Sequence, residues 1–174
     1  MKICLKTIIL VVLLTSIIAC KLNKNDIIDT TDMIRNYIQI RYDGLSKDSF
    51  FEHVAKLDTY YSTDMDRSES WTTNNVCIES TYETISKYGI ETEVLEMIIA
   101  PIEDARYAVE CYVLYSPEDI REQYYIAYQM IICTVEENDT PKIRNIEITE
   151  HIPVFTGGKE IVIDHSLFDK HTYE

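Results

Sequence analysis

Apolar residues along this chain follow one period up to Gly89 and another beyond it. From Ile27 to Tyr42 they fall at Ile27, Ile34, Tyr37, Ile38 and Tyr42, a spacing that predicts a helix. Asp26 can cap its start, and Gly44 lies just past its end, where a left-handed residue is wanted. Ser46 can cap a second helix carrying Phe50, Phe51, Val54 and Leu57 on one side. A polar stretch from Ser62 to Ser70 follows. Trp71, Ile78, Tyr82 and Ile85 then predict a third helix, closed by Gly89.

Beyond Gly89 the period shortens to two. Ile90 to Ile102 is rich in Val, Ile and Met and contains Pro101, so it reads as a strand ending at a bend. Ala105 to Tyr115 alternates, with Tyr107, Val109, Cys111, Val113 and Tyr115 on one face and Arg106 and Glu110 on the other. Ser116 to Glu122 is a polar loop. Gln123 to Val135 alternates again, placing Tyr124, Ile126, Tyr128, Met130 and Ile132 together. Pairing these two strands joins apolar face to apolar face, which sets their register. Glu136 to Thr140 is a turn, and Lys142 to Thr149 a further strand. From Glu150 to Glu174 the chain is a tail with one β-prone run at Glu160 to Ile163 and a polar end. The expected fold class is α+β: three N-terminal helices packed on a curved antiparallel sheet of four or more strands. Residues 27–150 form the expected domain, with 151–174 as a C-terminal extension.

Ahead of the domain the pattern is different. Residues 1–19 hold Lys2 and Lys6, no acid, and an apolar stretch from Ile8 to Ala19. Twelve residues suit a secretory h-region and fall short of the roughly 20 that span a bilayer. The stretch ends Ile17-Ile18-Ala19-Cys20, which resembles the lipobox of bacterial lipoproteins. That resemblance implies a signal peptide over 1–19, cleavage before Cys20, and acylation of Cys20, a palmitate-type anchor. The small Ala19 gives a peptidase access to the scissile bond, and the cysteine sulfur gives a stable thioether. Each buried methylene adds about 0.8 kcal/mol, so two chains hold where one does not. Residues 20–26 would be the lipidated cysteine and a polar tether. Lys21 follows the cysteine in place of the aspartate that retains some lipoproteins at an inner membrane. The expected location is the extracytoplasmic face of a cell membrane or outer membrane.

Removing the leader changes the charge. Of 16 basic residues, Lys2 and Lys6 leave with it, so 14 remain against 30 acidic ones, a net of -16. Such a balance excludes nucleic acid, and anionic headgroups as a charge-bound surface. It favours a basic protein or peptide partner.

The domain itself resembles the NTF2-like (SnoaL-like) superfamily over roughly Asp26 to Thr149. The resemblance rests on the paired helices joined by Tyr-Asp-Gly-Leu-Ser-Lys-Asp, from Tyr42 to Asp48, and on the closing strand Lys142-Ile143-Arg144-Asn145-Ile146-Glu147-Ile148. It implies a bent sheet wrapped around helices to make a cone. In enzymes of that superfamily an Asp–His or Tyr–Asp pair inside the cone does acid–base work on small molecules.

Candidate chemistry in the chain is sparse. Asp64-Met65-Asp66-Arg67-Ser68-Glu69 has oxygen ligands at alternate positions but lacks the glycine and the bidentate glutamate of a calcium loop, with Asn75 at position 12. It reads as a solvated acidic loop. His165, Asp169 and His171 sit in the tail without a metal-ligand spacing, and His53 lies beside Glu52 on the second helix. After Cys4 is removed and Cys20 acylated, Cys77, Cys111 and Cys133 remain. Cys111 and Cys133 fall on opposite faces of the predicted hairpin, which forbids a bridge between them, and buried free thiols are expected. Asn138-Asp139-Thr140 reads as a turn. No catalytic residue, metal or cofactor is expected. Among 13 tyrosines, Tyr107, Tyr115, Tyr124 and Tyr128 fall on the predicted inner face, as a tyrosine-lined core or as a binding pocket.

The expected function is a lipid-anchored, non-catalytic extracytoplasmic binding or accessory lipoprotein. Its acidic surface would meet a basic protein or peptide, as in immunity-type sequestration of a basic toxin. Two alternatives stay open: a small-molecule enzyme using the cone, and a structural subunit of an envelope secretion or conjugation machine.

Overall fold

The computed structural model of the protein describes residues 29–65, 75–103 and 105–168. Among them are three helices and a four-stranded antiparallel sheet, an α+β arrangement. Helix α1 covers 29–42, α2 runs Phe50–Leu57 and α3 runs Asn75–Tyr88. The strands are β1 (Glu91–Glu103), β2 (Arg106–Ser116), β3 (Tyr124–Glu137) and β4 (Thr140–Phe155). They pair in chain order, β1-β2-β3-β4. Register shifts between Val94 and Glu96, Pro101 and Glu103, Gln129 and Met130, and Cys133 and Thr134 bend the strands and curve the sheet.

The inner face of that sheet meets the helices. Ile34, Tyr37, Ile38 and Tyr42 of α1, with Leu57 and Tyr61, pack on Tyr107, Val109, Cys111, Val113, Met130, Ile132 and Ile143. These β2 and β3 residues share the alternation read from the sequence, because a one-residue slip would turn them toward water. A second cluster joins Leu45, Phe50, Ile85 and Ile90 at the end of the sheet near α3. Gly44 takes φ +68 after α1, and its N–H donates to the Thr92 carbonyl at 2.8 Å. The β3–β4 turn has Asn138 and Asp139 both left-handed, as a tight two-residue hairpin requires.

Several expectations change. Ser49, not Ser46, occupies the N-cap position of α2, without a side-chain cap; the Ser46 N–H instead donates to Ser49 Oγ at 3.0 Å. Phe51 is 57% exposed, since the 100° step between neighbours carries it off the face of Phe50. Trp71 and Asp26 lie outside the described residues, as do the leader and Cys20. Pro101 sits within β1 rather than ending it, tolerated because β1 is an edge strand. Pro141 and Pro153 lie on the other edge, β4, for the same reason. That strand continues to Phe155, past the expected Thr149 end, because its outer-face residues Ile152 and Val154 find cover.

The cover comes from the tail. Residues 160–163 form no strand, yet Ile161, Ile163, Leu167 and buried Phe168 pack against Tyr112, Leu114, Tyr125 and Ala127. Asp164 N–H donates to the Tyr125 hydroxyl at 3.2 Å. The outer face is therefore covered over parts of β2 and β3, where β2 buries residues on both of its sides.

Candidate functional site

Where α1, α3 and the curved sheet diverge they leave a cavity of about 330 Å³. Its wall includes Arg41 and Tyr42 from the end of α1, Thr81, Thr84 and Ile85 from α3, and Tyr115, Tyr124, Tyr128 and Ile148 from the sheet. Most of the wall is apolar or aromatic.

The tyrosines are arranged in pairs. Tyr115 and Tyr124, register partners on β2 and β3, stack with centroids 5.2 Å apart and planes at 2°. Tyr42 stacks on Tyr128 at 5.1 Å. The hydroxyls of Tyr115 and Tyr128 are hydrogen-bonded at 2.8 Å. Burial raises both phenols above their ordinary range: at Tyr115 the neighbouring Tyr128 adds to the rise, and at Tyr128 nearby Tyr42 does. Both therefore keep their protons at neutral pH, and in their shared bond one hydroxyl donates while the other accepts.

Arg41 occupies a position on the apolar stripe of α1, one turn beyond Tyr37 and Ile38, and is almost wholly buried. Its Nη1 donates to the Tyr37 hydroxyl at 2.5 Å, and the guanidinium lies 5.2 Å from the Tyr42 ring centroid. Burial opposes its charge, but the oxygens of Tyr37, Tyr42 and Tyr61 hold it protonated, above its ordinary value. Beneath it, burial pushes the Cys111 thiol up to about 12, with Arg41 pulling slightly the other way. Such a thiol is a packing group, not a nucleophile.

Of the residues singled out from sequence, Tyr115, Tyr124 and Tyr128 reach the cavity, whereas Tyr107 is in the core. His53 does not: its Nδ1 donates to the Ile40 carbonyl at 2.6 Å, tying α2 to α1. His151 pairs with Tyr128 in register but is exposed on β4 and does not line the wall. His165 lies on the outer side, edge-on to Tyr112 and 3.6 Å from Glu96. Asp169 and His171 are outside the described residues. Asp64 accepts from Ser62 Oγ at 2.8 Å and pairs with Arg144 at 3.1 Å, while 66–74, the rest of the acidic loop, is not described. Cys111 and Cys133 are free and on opposite faces. Among the described residues no group of His, Cys, Asp and Glu could hold a metal. No helix there is long and apolar enough to cross a membrane.

Sequence reasoning missed Arg41 and the Thr81 and Thr84 hydroxyls of α3. The signal for Arg41 was a cation inside an apolar helical stripe, where a residue of that charge rarely sits without a purpose.

No protein-family model matches this chain, and a search of curated proteins finds no match. A solved structure from Novosphingobium aromaticivorans DSM 12444, described as "Putative Scytalone Dehydratase", is similar at 12% identity and a TM-score of 0.46. The likeness covers 76% of this chain and 90% of that one.

Proposed function

We propose that this chain is a lipid-anchored, extracytoplasmic binding protein of NTF2-like (SnoaL-like) architecture, working without catalysis. The observation that carries the reading is the cavity between α1, α3 and the inner sheet face. Its wall offers stacked rings, aliphatic side chains, protonated phenols and one arginine. Those groups recognise and orient; with their protons held far above neutral pH, the phenols are poor proton acceptors. Delivery rests on Ile17-Ile18-Ala19-Cys20, with Cys20 as the acylated residue.

A basic protein or peptide is the proposed partner, as in immunity-type sequestration. Its support is the net charge and an acidic edge, where Glu91, Glu93 and Glu103 of β1 are exposed. The tests are separate. Labelled palmitate should enter the native chain and not a Cys20→Ala variant; equal labelling removes the anchor. Envelope extract passed over the protein at low salt should yield a basic partner that 0.5 M salt releases; recovery of acidic or no partners removes the charge-led reading.

A second reading, a small-molecule enzyme, is favoured by one observation: the cavity is open rather than filled by the tyrosines. Turnover of any ligand found to bind there would establish it.

A further inference from the structure

Three properties of the cavity wall constrain its occupant. The first is size. At about 30 Å³ per water in the liquid, 330 Å³ has room for roughly eleven waters, enough for a small molecule such as one ring with a short substituent.

The second property is flatness. Tyr42, Tyr124 and Tyr128 present ring surfaces already held by stacking, and Ile148 continues the apolar wall. Rings fixed in this way receive a flat, unsaturated body with little loss of side-chain freedom.

The third is the polar end. The Tyr115–Tyr128 bond consumes one of two hydroxyl protons, and the second is available to a third group. Arg41 brings a permanent positive charge to the same wall, whatever else it touches. Phenol and guanidinium both donate, and an anionic oxygen is the acceptor that gains most from such donors. The protein's negative charge acts on an anion only from a distance and is screened over about 8 Å at physiological salt. Contact with Arg41 inside a buried wall is screened far less.

We propose that the cavity binds a small organic acid, a single aromatic or conjugated ring bearing a carboxylate, with the carboxylate on Arg41 and the Tyr115–Tyr128 pair and the ring against Tyr42 and Tyr124. The inference rests on the binding function proposed above and names the ligand class for that site.

Calorimetric titration of the full chain in detergent micelles tests it, with benzoate, 4-hydroxybenzoate and cinnamate set against benzamide, 4-hydroxybenzamide and cinnamamide. At least one acid should bind, about tenfold more tightly than its amide. Tyr128→Phe should weaken the acid about fivefold and the amide less. Thr84→Trp, which fills the cavity from α3, should abolish binding. Arg41→Gln should remove the preference for acid over amide; if that variant does not fold, the Tyr128→Phe comparison carries the same information. Amides binding as tightly as acids would overturn the carboxylate assignment and leave a binding cavity standing. Undiminished binding to Thr84→Trp would overturn the site. Failure of both acids and amides to bind would overturn this inference and the cavity-based function together.

Discussion

The hydroxyls of Tyr115 and Tyr128 meet at 2.8 Å although their backbones are not partners: Tyr115 pairs with Tyr124, and Tyr128 pairs with Cys111. The contact runs diagonally across the inner face, along β3 from the Tyr124 register position to Tyr128, four residues further on. Two long tyrosine side chains leaning toward each other along the strands close that gap. Removing either hydroxyl should cost about 1 kcal/mol of stability, and removing both little more than one, because the two share a single bond. A double-mutant cycle of Tyr115→Phe and Tyr128→Phe in urea measures this; strictly additive losses would mean that the bond does not form.

Phe168 closes the outer face of the sheet over Tyr112 and Tyr125. Phe168→Ala should destabilise the protein by roughly 3 kcal/mol, since a buried ring is lost and its neighbours become wet. The check is chemical denaturation together with dye binding to the uncovered face. A loss under about 0.5 kcal/mol would mean that the tail is not docked in solution.

Tyr112 is fully buried, and its hydroxyl has no partner among the described residues. Burial, reinforced by Glu110 and Glu96, pushes that phenol up to about 12. Tyr112→Phe removes a stranded polar group and keeps the ring, so stability should hold or rise by about 1 kcal/mol. A clear loss in thermal melting would show that the hydroxyl has a partner after all.

Gly89 ends α3 at φ +57, and a Cβ there would lie 2.5 Å from Glu118 Cγ. The Glu118 side chain can swing away, but the left-handed backbone cannot be relaxed for an L-residue. Gly89→Ala should therefore cost about 1 kcal/mol or more, and Glu118→Ala should rescue only part of it. Urea midpoints of the two single variants and the double variant decide the matter.

Alkaline pH should unfold the protein early. Cys111 rises from 9.0 to about 12, and burial also raises Tyr37, Tyr115 and Tyr128. These groups bind their protons more tightly folded than unfolded. Their contribution is fully present below about pH 9 and is lost as pH climbs toward 12, because the unfolded chain ionises first. Urea midpoints at pH 7, 9, 10 and 11 should fall steadily above pH 9. In the native protein at pH 8, Cys111 should resist a thiol reagent while half-exposed Cys133 reacts.

Much of this architecture is legible in the residues alone. Alternation at Tyr107, Val109, Cys111 and Val113 and at Tyr128, Met130 and Ile132 determined two paired strands and which face is inner. A period of two leaves no other solution once one face must be dry. Gly44 and Gly89 marked two helix ends for an equally local reason, a backbone angle that only glycine adopts cheaply. Tertiary structure decided the rest. That Ile161, Ile163 and Phe168 return over Tyr112, extending β4 and covering part of the second sheet face, depends on partners about fifty residues away in sequence. That Tyr115, Tyr124 and Tyr128 line a space rather than fill it depends on how far the sheet curves from α3, which bulges and helix placement set together. The same holds for Arg41. In sequence it is a cation on an apolar stripe; only packing turns it into the charged wall of a cavity, because burial and its neighbours, not its identity, determine what that charge can reach.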